Sequence, residues 1–310
     1  MITLPKTWAD SLGLKKNDPV NVAVQPNGGL LLTANSSQSS NPEPKHIDLD
    51  GMDTPVALYR CLIGAYIAGH DQILVRSSTP IKGSFLEVIS EFTQTSMGME
   101  IIEEEEDRIL IKDLIDHADI LPQKNVRREY ILVKRMMSDV FSEDPPSMKD
   151  MVMRDTEIDR IHWLVQRQSS IHQQDISLSF KMGIRLKDII SCMGVSKILE
   201  RMGDHAVLIS KNLQGLEESE KGDVQSKLAE ISPVLQKYFE DAMGSWFDAE
   251  HETAENVLCN KTAVLRNIQN VFNEVTGFSA SSLIFGSCIR LVEYCTDLAE
   301  SAINLAMAKE

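Results

Sequence analysis

The fold of this chain is decided by the stretch Leu199-Glu200-Arg201-Met202-Gly203-Asp204-His205-Ala206. Its apolar residues recur at helical spacing, which predicts an amphipathic helix. Glu200 and Asp204 lie on the same face of that helix, because residues four apart are neighbours there, and their charges repel by roughly 0.2–0.5 kcal/mol. A glycine in the middle of a helix, here Gly203, costs about 1 kcal/mol relative to alanine. We therefore expect a contact from outside the helix to compensate for these residues.

A second acidic pair with the same spacing lies upstream, at Asp155 and Asp159. Its segment has an apolar stripe at helical spacing, formed by Met151, Ile158, Ile161 and Val165. No Lys or Arg lies three or four positions from either aspartate, whereas Lys197 and Arg201 precede Glu200 and Asp204 by three residues. A solvated surface therefore explains the pair at 200 and 204 more easily than the pair at 155 and 159.

Both acidic pairs are expected at the edge of the protein core. Asp159 follows the stripe residue Ile158, and Glu200 follows Leu199, so each acid lies about 100° around its helix from the core-facing side. If the two helices pack antiparallel, four carboxylates converge, and such a cluster is strongly repulsive unless it is protonated or binds a metal. Oxygen ligands suit hard cations, and iron, manganese and zinc also accept carboxylates. The residues alone leave both a metal site and a solvated acidic surface open.

The two acidic stretches resemble signatures of a known family. Residues 199–206, with Val207 and Ile209 after them, are similar to the third-helix signature of the PhoU family of phosphate-signalling proteins. Residues 155–160 are similar to its second-helix signature. The resemblance implies a pair of three-helix repeats, each able to hold iron or zinc clusters through Glu/Asp-x-x-x-Asp motifs. It also implies a role in restraining phosphate uptake and phosphate-responsive signalling.

The resemblance also supplies candidate ligands, a metal and a partner. The resemblance implies that the metal ligands are Asp155, Asp159, Glu200 and Asp204. The metal is then iron, zinc, manganese or magnesium, and the sequence does not distinguish among them. The partner implied is a phosphate transporter or a phosphate-signalling protein.

The third-helix motif recurs near the end of the chain, which supports a duplication. The recurring motif places Arg290, Glu293, Asp297 and Ala299 where the first copy has Lys197, Glu200, Asp204 and Ala206. Glu293 and Asp297 are therefore weaker candidate metal ligands. For the second helix of this repeat, the apolar pattern places Lys261 and Leu265 at the acid positions, whereas a constant offset places Asp248 and Glu252 there. We favour the first alignment, which leaves the C-terminal site short of ligands.

The composition indicates an acidic globular protein. A net charge of −15 over 310 residues repels nucleic acid and suits the binding of cations. No uncharged run approaches the ~20 residues that span a bilayer, so we expect no membrane insertion. The five cysteines are odd in number and include no Cys-x-x-Cys pair, which argues against a disulfide framework and against a thiolate zinc site. A cytoplasmic location fits these cysteines best.

The first 34 residues predict a small β unit, with strands at residues 2–5, 8–12, 20–24 and 30–32. The motif Thr3-Leu4-Pro5-Lys6-x-Trp8 and residues 12–20 after it resemble part of the AbrB/SpoVT swapped-hairpin family, whose members dimerise and often bind DNA. The candidate DNA-binding residues are Lys6, Lys15 and Lys16. Two aspartates leave them about one net positive charge, which is too little for strong counterion release. A hairpin of this size is marginal alone and needs a partner chain or the adjacent domain to complete its sheet, so we favour dimerisation, as a homodimer, or docking over DNA binding.

The rest of the chain divides by composition and periodicity. Residues 35–47 are rich in Ser and Pro and predict a linker. Residues 48–118 predict a small α/β segment, and residues 119–216 and 223–310 predict two helical repeats separated by a break. The elements predicted in the α/β segment are helices at 54–68 and 84–93 and strands at 72–76, 99–104 and 108–112. The predicted fold class is mainly α, with six helices in two three-helix PhoU-like repeats that form a bundle behind the β unit and the α/β segment.

Three classes of function were weighed against these features. The leading hypothesis is a non-enzymatic regulator of phosphate uptake and homeostasis, in which a metal-binding helical bundle acts through a protein partner. The alternative is a DNA-binding transcriptional regulator that uses the AbrB-like unit. A di-metal carboxylate enzyme needs a Glu-x-x-His pair on each of two helices, but Glu157 and Glu200 have Arg160 and Gly203 three residues on. We therefore expect no enzymatic activity.

Overall fold

A computed structural model describes residues 3–24, 28–34, 43–116, 120–142, 144–175, 178–179, 182–273 and 280–308. Within these residues the chain forms a small N-terminal unit, then an α/β unit, then a large helical bundle. The mainly helical fold class expected from the sequence is confirmed. In these ranges, no helix has both the length and the apolar character needed to cross a membrane.

The N-terminal unit is a short helix followed by a two-stranded antiparallel sheet. Helix α1 spans Lys6–Ser11, and strands β1 (Val20–Val24) and β2 (Leu30–Ala34) pair with Val22 opposite Leu32. In the described residues, α1 has no buried side chain. The unit therefore has little core of its own.

The strand expected at residues 8–12 is wrong, because Trp8 lies in α1. Apolar and polar residues do not alternate there, so the periodicity of a strand is missing. Pro5 is the N-cap of the helix with φ −58°, a value that proline fixes and that suits a helix start. Residues 3–5 form no strand, and residue 2 lies outside the described part.

The α/β unit is a four-stranded sheet with two helices. Its elements are β3 (Lys45–Asp48), α2 (Pro55–Ile67), β4 (Gln72–Arg76), α3 (Gly83–Thr95), β5 (Met99–Glu104) and β6 (Arg108–Asp113). The strand order is β3-β4-β6-β5, with β3 and β4 parallel and the other pairs antiparallel. Parallel neighbours need a crossover connection, and α2 lies in it. Alternate residues of the central strands, such as Ile73 and Ile111, are fully buried.

Most elements of the α/β unit match their predictions. The strands expected at 72–76 and 99–104 are confirmed, and the Thr54 hydroxyl caps α2 by accepting the Ala57 N–H at 3.3 Å. Strand β3 is absent from the predictions. It begins at Lys45, inside the stretch predicted as a linker, of which residues 35–42 lie outside the described part.

The helical bundle is built from long helices. They are α4 (Pro122–Val140), α5 (Met148–Gln174), α6 (Leu186–Gln214), α7 (Glu218–Asp248), α8 (His251–Asn273) and α9 (Ala280–Met307). Helices α4, α5 and α6 pack together, as do α7, α8 and α9, and α6 also packs against α9. One continuous apolar core runs through both groups. In the part of the bundle that the structure describes, six long helices in two groups of three thus agree with the periodicity of the sequence.

Two of the connections between helices differ from the breaks predicted from the sequence. Helix α7 begins at Glu218, so residues 218–222 are helical although the sequence predicts a break there. The chain also breaks between α7 and α8, where Ala249 is left-handed with φ 47°. Non-glycine residues rarely adopt this conformation, so nothing in the sequence marks the break.

The α/β unit is attached to α5 through a buried arginine. Arg167 lies on α5 and forms an ion pair with Asp113 of β6 at 2.6 Å. Its guanidinium also donates to the Tyr66 carbonyl at 2.7 Å. The Arg167 and Asp113 side chains are 0% and 3% exposed, so both charges are almost fully desolvated. The rings of Tyr59 of α2 and Trp163 of α5 also pack edge-to-face, with their centroids 6.5 Å apart.

We expect the substitution Arg167→Leu to destabilise the protein by about 3–5 kcal/mol, because it leaves the Asp113 carboxylate buried without its main countercharge. Calorimetric unfolding should show a lower Tm, with the transition of the α/β unit separating from that of the bundle. The matched control is Arg76→Ala, whose ion pair with Asp48 is about half exposed on both sides and is worth at most ~1 kcal/mol. Equal losses in the two variants would contradict a structural role for the buried pair.

Candidate functional site

The four acids predicted as metal ligands lie on α5 and α6 at the edge of the core. Asp155, Asp159 and Glu200 are half-buried, and Asp204 is exposed. Each pair borders an apolar stripe that faces the core: Ile158 and Leu199, which precede Asp159 and Glu200, are fully buried. The expectation that the acids border the core is therefore confirmed.

Helices α5 and α6 run antiparallel, which brings the two pairs to the same level. Three hydrogen bonds between the helices show this direction. They join His162 to Ser196, Gln166 to the Met193 carbonyl, and Ser169 to the Ile189 carbonyl. In these pairs the residue number increases along α5 and decreases along α6. Residues 155–159 therefore lie beside residues 199–204. This is the packing on which convergence of the carboxylates depended.

Gly203 lets the two helices approach closely at the acids. A Cβ at this position would lie 3.1 Å from Ile158 Cδ1 and 3.4 Å from Asp155 Oδ1. The glycine therefore gives up helix propensity in return for close packing against α5. This contact is the compensation from outside the helix that the sequence led us to expect, and it places the Asp155 carboxylate against the backbone of α6 next to Asp204.

The arginines that neighbour Asp155 and Asp159 in sequence form ion pairs elsewhere. Arg154 pairs with Asp139, and Arg160 pairs with Glu157 at 2.9 Å. Among the described residues, neither Asp155 nor Asp159 has an ion pair with a basic side chain, so the charges of this pair are uncompensated.

On α6 the charges are only partly balanced. Lys197 Nζ lies 2.8 Å from Glu200 Oε2, in an ion pair whose lysine is 44% exposed. Arg201 lowers the pKa of Asp204 but forms no ion pair with it in the described part of the chain.

Burial and repulsion from neighbouring acids raise the pKa of the three aspartates. Desolvation, together with the charges of Asp204 and Glu200, raises the pKa of Asp155 to about 6. Desolvation, followed by the charges of Asp155 and Glu200, raises the pKa of Asp159 to about 7. The pKa of Asp204 is also raised, mainly by desolvation and by Glu200. The four side chains thus act on one another electrostatically. A bound cation would offset both the cost of desolvation and the repulsion among the carboxylates.

Behind the acids lies a buried polar group that the sequence analysis missed. Glu129 of α4 is 0% exposed, and neither of its carboxylate oxygens has a hydrogen-bond partner. Desolvation raises its pKa well above the ordinary range, and the charges of Glu200 and Asp159 raise it further. The signal was present in the sequence, because Glu129 occupies a core position in the stripe of Val126 and Val133.

A buried histidine lies beside this carboxyl group. His162 is 5% exposed and shares a hydrogen bond with the Ser196 hydroxyl, with Nδ1 and Oγ 3.0 Å apart. Desolvation lowers the pKa of His162 to about 4, so the imidazole is neutral at physiological pH. It therefore does not supply a positive charge to the carboxylates.

The oxygen atoms of these acids are suitable ligands for a metal ion, but their present positions are not those of a metal site. Uncompensated carboxylate oxygens and the unpartnered oxygens of Glu129 are the donors that hard or borderline cations take. In the described part of the chain, however, no three His, Cys, Asp or Glu side chains are grouped so as to hold a metal. A cation would have to draw these carboxylates together when it binds.

The second repeat places a lysine where the first has acids. Glu293 and Asp297 lie on α9, and Arg290 pairs with Glu293 as Lys197 does with Glu200. Lys261 of α8 acts on Asp297 and lowers its pKa, although desolvation raises it overall. This agrees with the alignment that puts Lys261 at an acid position.

The basic residues of the N-terminal unit are exposed but few. Lys6 begins α1, and Lys15 and Lys16 lie in the turn before β1. The side chain of Asp18 accepts the Lys15 N–H at 2.7 Å, which keeps an acid beside these two lysines. The geometry offers no extended basic surface within the described residues of this unit.

Two stretches of the chain match known family models. Residues 131–213 match the PhoU domain, and this span contains α5, α6 and all four acids. Residues 1–40 match the antidote-toxin recognition domain MazE, a bacterial antitoxin. The matches agree with the resemblance of the acidic motifs to the PhoU family and of the N-terminal unit to an AbrB-like domain. No curated protein and no solved structure matches the chain.

The raised pKa values predict how the stability of the cation-free protein depends on pH. An unfolded aspartate has a pKa of about 3.9, whereas Asp155 and Asp159 reach about 6 and about 7. Between these values the folded state holds more protons than the unfolded state, so the free energy of unfolding falls as the pH rises from about 4 to about 7. Urea unfolding in the presence of a chelator at a series of pH values measures this fall.

The variant Asp159→Asn isolates the contribution of one carboxylate. We expect it to match the wild type near pH 4 and to be more stable above pH 7, because the amide is neutral at every pH. Asp241→Asn is the control, since Asp241 is exposed and pairs with Lys237 at 2.6 Å. A wild type whose stability is constant or increases over this range would show that the carboxylates are not desolvated in solution.

Proposed function

We propose that this chain is a non-enzymatic regulator of phosphate uptake and homeostasis whose α5–α6 site binds a metal cation. The observation that carries the proposal is the group of four acids that the close approach of the two helices at Gly203 brings to one level, of which Asp155 and Asp159 are half-buried and have no ion pair in the described chain. The PhoU-domain match supports it, because the matched residues 131–213 contain all four. Iron, zinc, manganese and magnesium are the candidate metals.

The chain's own residues suggest how cation binding reaches the rest of the molecule. A cation supplies positive charge that removes the repulsion among Asp155, Asp159, Glu200 and Asp204. These side chains then hold α5 and α6 together at Gly203. Since Arg167 on the same α5 holds the α/β unit, a change in the position of α5 is transmitted to that unit. The proposed partner, a phosphate transporter or a phosphate-signalling protein, would respond to this change.

Elemental mass spectrometry of the full chain tests the site, after equilibration with iron(II), zinc, manganese or magnesium and removal of free metal. We expect wild type to retain metal, and Asp155→Asn and Glu200→Gln to lose most of it, because each removes one ligand charge with little change of shape. Glu157→Gln is the matched control on α5, since Glu157 pairs with Arg128 and Arg160.

Asp297→Asn is the control for the second repeat, and we expect it to retain metal because Lys261 supplies positive charge there. Wild type that retains none of the four metals, or two ligand variants that retain as much as wild type, would remove the proposed site. Loss of metal in Asp297→Asn would instead place ligands in the second repeat.

The N-terminal unit supports the proposal of a homodimer. Val22 and Val24 of β1 and Leu30 of β2 share one face of the sheet and are 55%, 71% and 50% exposed. A two-stranded sheet is not stable alone, and in the described chain no other element covers this apolar face. We infer that a second copy of the chain covers it, as dimerisation in the AbrB-like family implies. The unpaired cysteines of the described chain fit a reducing cytoplasm.

The substitution Val24→Asp tests the dimer. A charge at the centre of the interface is expected to shift the protein from dimer to monomer in light scattering of the full chain. Leu283→Asp is the control, because Leu283 is also an exposed apolar residue, at 57%, but lies in the bundle. A wild type that is monomeric at micromolar concentration contradicts the proposal.

A DNA-binding regulator is the second candidate function, and the MazE match at residues 1–40 favours it. Lys6, Lys15 and Lys16 would contact the phosphate backbone. In a gel shift on the DNA upstream of the chain's own gene, such contacts weaken steeply with salt and are lost in the Lys15→Ala, Lys16→Ala double variant. A salt-sensitive shift would favour this function over assembly alone.

A further inference from the structure

The buried carboxyl group of Glu129 has no countercharge. The other deeply buried acid described above, Asp113, is paired with Arg167 at 2.6 Å. Glu129 is 0% exposed, has no ion pair in the described chain, and has no hydrogen-bond partner for either oxygen. Since buried carboxyl groups are normally paired or hydrogen-bonded, this one lacks something that the protein alone does not provide.

Helix α4, which bears Glu129, packs against both α5 and α6, and Glu129 lies close enough to their acids to be influenced by their charges. The charged groups that act on it are Asp159 on α5 and Glu200 and Lys197 on α6. The Ser196 hydroxyl lies near enough to influence it, but it makes no hydrogen bond of normal geometry with Glu129 and is already bonded to His162. Glu129 therefore lies on the core side of these acids, because it is fully buried and they border the core.

The position of Glu129 in α4 does not require a carboxyl group for packing. Its neighbours in the buried stripe, Val126 and Val133, are apolar, and the stripe continues through Met136, Met137 and Val140. An apolar side chain of similar size would fill the same space without the cost of burying a polar group. The carboxyl group thus has to be explained by its chemistry rather than by its shape.

We propose that Glu129 is a further ligand of the cation bound by the four acids of α5 and α6, and that it reaches the cation from the buried side. The inference rests on the proposed cation site and extends it to a third helix. An unpartnered, fully buried carboxyl group close to a group of acids is a donor that a divalent cation would take. Residue 129 lies outside the span that matches the PhoU domain, so the family match does not include it.

The proposal has a consequence for the bundle. Asp155 and Asp159 belong to α5, and Glu200 and Asp204 to α6, so a cation bound by these four joins two helices. With Glu129 as a ligand, the cation also joins α4, and all three helices of the first repeat share one ion. Binding should then stabilise the whole repeat rather than the surface of two helices.

Manganese binding to the full chain, stripped with a chelator, tests the role of Glu129. The titration is followed by the loss of the free Mn²⁺ signal in electron paramagnetic resonance, and is repeated with Zn²⁺ by calorimetry. We expect Glu129→Gln to weaken binding at least about tenfold, because even removal of an outer-shell partner of a metal typically costs 10- to 100-fold. Glu129→Asp keeps the charge but shortens the reach, and an intermediate loss is expected.

Unfolding of the metal-free variants separates a ligand from a structural residue. In the metal-free state, Glu129→Gln should have a Tm equal to or above that of wild type, because it removes a buried acid without a partner. The rise in Tm on adding Mn²⁺ should be smaller than in wild type. Glu157→Gln, which removes a surface acid of α5, should keep both the affinity and this rise.

The possible outcomes distinguish this inference from the proposed function. If Glu129→Gln binds both metals as wild type does while Asp155→Asn does not, the cation site stands and Glu129 is not a ligand. If Glu129→Gln weakens binding only because it unfolds, its metal-free Tm falls, and the inference is overturned. Wild type that binds neither metal overturns both the site and the inference.

Discussion

The close approach of α5 and α6 at Gly203 is the constraint on which the site depends. A Cβ at this position would lie 3.1 Å from Ile158 Cδ1 and 3.4 Å from the Asp155 carboxylate, so any larger residue would require these side chains to shift, and glycine allows the approach without strain. The same approach withdraws Asp155 and Asp159 from water and brings them next to Glu200 and Asp204. Packing energy from the fully buried Ile158 and Leu199 thus holds together charges that repel one another.

Helix α5 takes part in two contacts of desolvated charges, and this links the site to the rest of the chain. Asp155 and Asp159 lie in its first half, and Arg167, whose ion pair with Asp113 attaches the α/β unit, lies two turns further on. Both contacts involve desolvated charges, whose energies change strongly with position. A shift of α5 that strengthens one of these contacts therefore alters the geometry of the other.

Much of this architecture could be predicted from the sequence, and the exceptions have physical causes. The stripe through Leu199 and the strand at Gln72–Arg76 follow directly from periodicity. The break at Ala249 could not be predicted, because a left-handed alanine is set by the packing around it and not by its own preference. Strand β3 has a single buried residue, Ile47, among its four, too few for an alternating pattern to be visible. The spacing of the four acids identifies them in the sequence. Glu129 could not be identified in the same way, because helical periodicity marks core positions by their apolar residues and a buried glutamate does not fit that pattern.

The second repeat shows how the same helix motif can be stabilised in another way. Both repeats carry a basic residue three positions before a glutamate, and the pairs Lys197–Glu200 and Arg290–Glu293 are formed in each. They differ at the neighbouring helix, where the first repeat has Asp155 and the second has Lys261, which lowers the pKa of Asp297. An ammonium group there neutralises part of the acidic charge without any ligand, whereas in the first repeat two more acids add to it. The duplicated motif therefore exists in two versions: in the C-terminal copy a lysine of the neighbouring helix offsets part of the acidic charge, and in the first copy the neighbouring helix adds two more acids.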